Sequence, residues 1–567
     1  MNVLGSFITN VGHKFVLMVM VLIISGCQGT SPYNRVPLLS NNDVANTTKG
    51  VVVARVISAT SQPYPFNEID LVPKNLNESK DNKIQSVAAL PAKSDQSVIF
   101  AGALEPGSYS LDAITSYHFF GDRYYADGVK AKLDFGTFSV EANKVTDLGI
   151  LIYYPKSQED TYLKTLIRVP SAEPAKLIGQ YFSFYEYDKN QVLTWDEDGF
   201  ADERESAYLS AAQNPVSFNR EYLADDGYLY VLAPLGVILI RTPDGEWLTE
   251  AVDSNLIMRS IAKNAAGDLI VGGDEGKVFV KRSGSELWED ISIDHKFDVQ
   301  EVAFDDANNM LVIASKETYM GLFKSQENIA GMAPNWQVPL RFNSYSGWFK
   351  NDGNRTDWQA LNGQERIMSA KIDRSEDGHI LSVFHQKPTT RLVIRDGIKT
   401  SRYMANFNDL HFERIEKKLE VDFVINAGAM QIGVEKPGFW INKPTYYVKN
   451  KQTGEWDYIR TKVELKGNVK GVKLPFRFIS APWFSSPQNG VAIATIGSEK
   501  EPKILHSTDG GKNWTKTDYE LPKEYCISFV SMVTDKLLLS CDGATGDFYE
   551  STDNGKTWQQ VREHEQF

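Results

Sequence analysis

Ser507-Thr-Asp509-Gly-Gly511-Lys-Asn-Trp514 and Ser551-Thr-Asp553-Asn-Gly555-Lys-Thr-Trp558 share the pattern Ser-x-Asp-x-Gly-x-x-Trp and stand 44 residues apart. The first five positions are turn chemistry. Ser and Asp side chains hydrogen-bond nearby backbone N–H groups, and Gly supplies a positive φ without steric cost. The Trp starts the strand that follows and packs its indole into the sheet. Lys503-Ile-Leu-His506 and Asp547-Phe-Tyr-Glu550 lead into the two turns as short alternating strands.

The octapeptides resemble the Asp-box, or BNR repeat, of sialidase-like β-propellers. The resemblance implies a box that closes the hairpin between the third and fourth strands of a blade. The box is a folding device, so it speaks to architecture before chemistry. Its spacing agrees, because a period of about 40–45 residues is that of a propeller blade. Weaker copies run upstream: Thr242-Pro-Asp244-Gly245-Glu-Trp247, Ser283-Gly-Ser285-Glu-Leu-Trp288, Asn335-Trp336 and Thr453-Gly454-Glu-Trp456. The Trp intervals are 41, 48, 120, 58 and 44 residues. The long gap holds Arg391-Leu-Val-Ile-Arg395 running into Asp396-Gly397, read as a blade that lost its Trp. The expectation is therefore an all-β chain, an N-terminal β-sandwich followed by a seven-bladed β-propeller over residues 226–567.

The N-terminus predicts an address. Lys14 precedes an apolar run from Phe15 to Ile24, too short to span a bilayer and suited to a signal peptide. Ile24-Ser25-Gly26-Cys27 resembles the lipobox of bacterial lipoproteins. That resemblance implies cleavage after residue 26, lipidation of Cys27 and, with Gln28 following, residence in the outer membrane. Residues 27–49, rich in Ser, Asn, Thr and Pro, read as a flexible tether.

Residues 50–157 have a different texture, with Gly50-Val-Val-Val-Ala-Arg-Val-Ile57 and Ser97-Val-Ile-Phe100 as strands. Leu104-Glu-Pro106-Gly107-Ser-Tyr109 resembles the hairpin of carboxypeptidase-regulatory-like, prealbumin-type sandwiches, which implies a β-sandwich spacer or interaction domain. Residues 158–225 read as a polar connecting segment. Within it, Asp196, Asp198, Asp202, Glu203 and Glu205 form a carboxylate-rich stretch whose spacing fails the EF-hand loop, so no metal is expected.

Charge and cysteines narrow the setting. Formal net charge is −13, and −14 once Lys14 leaves with the signal peptide. An acidic surface disfavours nucleic acid and anionic membrane as partners. With Cys27 lipidated, Cys526 and Cys541 flank one expected hairpin, where either a disulfide or two buried thiols would fit.

Sialidase chemistry would need an Arg triad, a Tyr nucleophile with a Glu partner, and an Asp acid/base. Ile167-Arg168-Val169-Pro170 is the nearest approach to the first Arg motif, without its aromatic residue. Arg241, Arg282, Arg341, Arg391 and Arg395 are further candidates. No zinc motif, nucleophile elbow or phosphate-binding loop is present, and no cofactor is expected. The expected role is a lipid-anchored, non-enzymatic binding or scaffold module for an envelope protein or polysaccharide. A sialidase-like glycan hydrolase or lyase and an envelope assembly factor are the alternatives.

Overall fold

The computed structural model describes residues 33–43, 48–60, 66–74, 83–90, 96–120, 123–132, 135–158, 161–171, 173–316, 319–325, 334–343, 347–350, 366–375, 378–386, 399–415, 423–434, 445–449, 456–460, 462–464, 476–497, 501–533, 536–541 and 546–563. The chain is mostly β. Cys27, Arg391, Arg395 and the Asp396-Gly397 turn lie outside the described residues.

Two sheets form the N-terminal part. One carries Tyr33–Val36, Ile84–Ala88, Phe66–Pro73, Gly107–Phe120 and Arg123–Lys130 in that spatial order, with Thr137–Val140 also pairing Gly107–Phe120. The other runs Thr161–Val169, Val145–Gln158, Gly50–Ser58, Ser97–Leu104. Val52, Ala54, Val56 and Leu151 of the second sheet share one apolar cluster with Ile69, Leu71, Ile114 and Phe138 of the first. The other face of Gly50–Ser58 is covered too. Val51 and Val53 pack on Leu177 and Ile178 of the Lys176–Tyr181 helix. That double burial explains why this strand reads as an unbroken apolar run.

Three boundaries differ from the sequence expectation. Tyr33–Val36 pairs in parallel with Ile84–Val87, so part of the expected tether is an edge strand. Thr161–Val169, expected in the connecting segment, forms a hairpin with Val145–Gln158. Its Lys and Thr positions made it read as polar. The first sheet of the C-terminal array begins at Arg220, where Arg220–Leu223 pairs with Leu229–Leu232. The Pro106-Gly107 turn also differs. It joins strands of different sheets, so it is a crossing between layers, and Tyr109 caps it by donating its hydroxyl to Glu105 O at 2.8 Å.

From Arg220 onward, seven successive sheets occur among the described residues, spanning 220–251, 258–290, 298–350, 366–414, 423–460, 462–516 and 528–562. Except in the sixth, strand order in space follows strand order in sequence. The last sheet packs against the first. Phe548 lies 4.5 Å from the Trp247 ring centroid, and Arg241 Nη2 is 2.9 Å from Glu550. Val530, Val533 and Leu538 join Leu229, Val231 and Leu239 in one apolar cluster. This cluster also takes Ile57, Ile152 and Ile167 from the N-terminal sheets. The Ala201–Gln213 helix contributes Ala211.

Candidate functional site: the boxes and the first-strand cluster

Each box has the local bonding its sequence dictates. Ser507 Oγ accepts from Gly511 N at 2.8 Å and donates to Asp509 at 2.9 Å. Asp509 accepts from Asn513 N and Nδ2 at 2.9 and 2.6 Å. In the second box Ser551 Oγ accepts from Gly555 N at 2.7 Å, and Asp553 accepts from Thr557 N at 2.9 Å and Thr557 Oγ1 at 2.7 Å. Gly511 and Gly555 sit at φ 86° and 85°, the left-handed region where glycine is at ease. Donors from Thr557, backbone first, hold Asp553 down to about 2. Both carboxylates are engaged by donors of their own turn. Thr242 repeats the device, accepting from Glu246 N at 3.0 Å.

The second box falls between the third and fourth strands of the seventh sheet, Phe548–Ser551 and Gln559–Arg562, and the first joins the last two strands of the sixth in sequence, Lys503–Ser507 and Asn513–Lys516. Trp247, Trp288, Trp336 and Trp456 each begin an equivalent strand. Their burial is unequal, however. Trp514 is fully buried against Phe478 and Phe484, whereas Trp247, Trp288, Trp336 and Trp558 are half-buried. In the fourth sheet the equivalent turn is 407–410, and Phe412 occupies the Trp position, buried against Phe407.

Cys526 and Cys541 are joined by a disulfide with Cα atoms 4.0 Å apart. They bracket the Ser528–Phe529 and Leu537–Ser540 strands.

Among the described residues, the candidate arginines are not brought together. Arg168 is on Thr161–Val169 in the N-terminal part, donating to Phe135 O at 2.5 Å and stacked 4.3 Å over Trp195. Arg241 is held by Glu550, Arg282 lies near Asp268 and Glu289, and Arg341 lies over Tyr319. In the acidic stretch, Arg204 grips both oxygens of Asp198 at 2.6 and 2.9 Å and pulls its carboxyl down to about 2.

The charged groups that do converge sit on the first strands of the sheets. Arg220 donates through Nη1 and Nη2 to Glu301 at 2.7 and 3.1 Å, bridging the first and third sheets. Ser260, from the second, donates to the same carboxylate at 3.1 Å. Lys371 and Asp373, 2.5 Å apart on the fourth, act electrostatically on Glu301. Burial pushes Glu301 up, and Arg220 opposes that shift. Glu221 accepts from Ser531 Oγ and Met532 N of the seventh, both at 3.4 Å. It is half-buried, and desolvation by the crowding strands raises its carboxyl to about 7 against those donors. Tyr222 bonds the Lys263 backbone, and burial raises its phenol. Sequence reading missed this cluster, because Arg-Glu-Tyr at 220–222 is a common tripeptide whose partners lie far along the chain.

A second polar group joins the N-terminal part to the array. Glu275 adopts φ 54°, accepts from Arg55 Nη2 at 2.6 Å and is bonded by the Tyr181 hydroxyl. Burial and the Glu275 charge drive the Tyr181 phenol upward.

No protein-family model matches the chain, and no curated protein matches it. Among solved structures it is similar to YCF48 bound to a D1 peptide, at 11% identity over 57% of this chain and 89% of that one, with a TM-score of 0.33. A family PL25 ulvan lyase bound to -[GlcA(1-4)Rha3S]- aligns at 13% identity over 62% and 91%, TM-score 0.33. A GH74 enzyme of Niastella koreensis aligns at 11% identity over 61% and 72%, TM-score 0.28. Likeness this loose says nothing about chemistry.

Proposed function

We propose that the chain is a lipoprotein anchored to the bacterial outer membrane through Cys27. Its N-terminal sheets form a β-sandwich, and residues 220–562 form a closed seven-bladed propeller of BNR type. The propeller acts as a non-enzymatic binding or scaffold module for an envelope protein or polysaccharide. The contact of the last sheet with the first supports closure, and a rigid ring presents its loops as a docking surface.

The observation that carries the binding reading is Arg220. A carboxylate-binding triad needs guanidinium groups open to substrate, whereas both terminal nitrogens of Arg220 hold Glu301. Two half-buried tyrosines, Tyr222 on the Lys263 backbone and Tyr181 on Glu275, point the same way. Tyr222 and Tyr181 are both shifted upward, opposite to what an activated nucleophile requires.

One observation favours the hydrolase or lyase alternative. Glu221, raised to about 7, has the proton affinity of a general acid/base at neutral pH. A glycan-array and envelope-protein capture screen with residues 28–567 separates the readings. Saturable capture with no change in the glycan chains supports a binder. Cleavage that is lost in Glu221→Gln overturns it.

A further inference from the structure

The N-terminal sheets have two distinguishable ends. Register places Tyr33 beside Ile84, Leu71 beside Gln85, Pro73 beside Tyr109 and Gly107 beside Val140. Asn143 N donates to Lys49 O at 2.9 Å, which brings the start of Gly50–Ser58 to the same end. The first residues of Tyr33–Val36, the Pro106-Gly107 crossing and the turn at 141–143 therefore share one pole.

The C-terminal array grips the other half of these sheets. Arg55 bonds Glu275 and Ile57 joins the cluster of the first array sheet, while just ahead of the array Asn214 O accepts from the Tyr154 hydroxyl at 2.6 Å. Gly50 and Ile57 are seven residues apart, about 23 Å at about 3.3 Å per strand residue.

Cys27 and Tyr33 are six chain steps apart (33 − 27). A peptide spans at most about 3.6 Å per residue, so Cys27 stays within about 22 Å of Tyr33. The expected 23-residue tether is thus shortened to a handful of residues by the edge strand. The pole also differs in charge from the chain as a whole, whose net charge is −13. Its described charges are Lys49, Lys74, Lys83 and Lys144 against Glu105 and Glu141, with Lys49–Glu105 at 3.3 Å and Lys144–Glu141 at 2.6 Å. Tyr33 is 42% exposed there.

We propose that this pole, carrying Tyr33, Lys74, Lys83 and the 141–143 turn, is the surface apposed to the lipid bilayer. The N-terminal sheets then act as a stiff stand-off that carries the array away from the membrane. The proposal rests on the lipid-anchor reading of Cys27.

The test uses the full lipidated chain in vesicles of phosphatidylethanolamine and phosphatidylglycerol with a headgroup-linked acceptor dye. A donor dye goes on Ala142→Cys at the pole or on Glu286→Cys, exposed in the 3–4 turn of the second array sheet. The result expected is at least twofold greater energy transfer from position 142 than from 286. A 20-residue Gly/Ser insertion after Gln28 should remove most of that difference. Equal transfer, or greater transfer from 286, in vesicles that do bind the protein overturns the orientation alone. A chain that fails to co-float with vesicles, matching Cys27→Ser, overturns the anchor reading and the orientation with it.

Discussion

Arg220 and Glu301 are 81 residues apart in sequence, on the first strands of two sheets with a third between them, and they form a two-pronged ion pair at 2.7 and 3.1 Å. Ser260 of the intervening sheet completes the carboxylate's bonding. Three sheets are thereby tied at one point by groups that would be costly to leave unpaired.

Removing one side of this pair should show that cost. Arg220→Ala leaves Glu301, 5% exposed, without the cation bonded to it. A loss of about 3 kcal/mol is expected, read as a lower denaturant midpoint. The double variant Arg220→Met, Glu301→Leu should recover most of it.

The two boxes should differ in how they fail. Trp514→Ala empties a fully buried site and should cost about 3–5 kcal/mol. Trp558→Ala should cost less than half as much, because its indole is half-exposed and bonds only Glu520 O at 3.2 Å. Ser551→Ala orphans Gly555 N, and about 1–2 kcal/mol is expected. Equal losses for the two Trp variants would contradict the packing described.

Much of this was legible because it is local. Ser507, Asp509, Gly511, Ser551, Asp553 and Gly555 satisfy one another within five residues, so the sequence alone carries their geometry. Phe412 in place of a Trp was invisible, since any large apolar side chain fills that station. The Arg220–Glu301 and Arg241–Glu550 pairs were invisible for another reason: separations of 81 and 309 residues leave no local pattern. The Arg168 tripeptide carried little, because a strand ending in Pro looks the same in any sheet.

His506 gives a pH dependence with a definite sign. Burial lowers its pKa below the ordinary 6.5, and its ring nitrogen lies 2.7 Å from Asn554 O in the neighbouring box. The unfolded chain then binds the proton more tightly than the folded one. Stability should be intact above pH 6.5 and should fall as pH drops below it. His506→Gln should flatten that slope in denaturant titrations at pH 7.5 and 5.5.

Glu221 acts in the opposite direction. Its carboxyl is raised from 4.5 to about 7, so its contribution is fully present below pH 4.5 and is lost as pH rises through 7. Moving from pH 6 to pH 8 should cost about 1 kcal/mol, and Glu221→Gln should abolish that loss.

The Cys526–Cys541 bond closes a loop of 15 residues in the sheet that meets the first. In the chain-entropy picture such a loop contributes about 3 kcal/mol. Cys526→Ala with Cys541→Ala should lower the melting temperature by several degrees, and a reductant should then have no further effect.

A crystal structure of residues 28–567 tests the closed ring most directly. The account requires seven sheets about one pseudo-rotation axis, Trp514 and Trp558 related by a single step of it, and Phe548 seated on Trp247. An open or spiral array, with 528–562 away from 220–251, would contradict it.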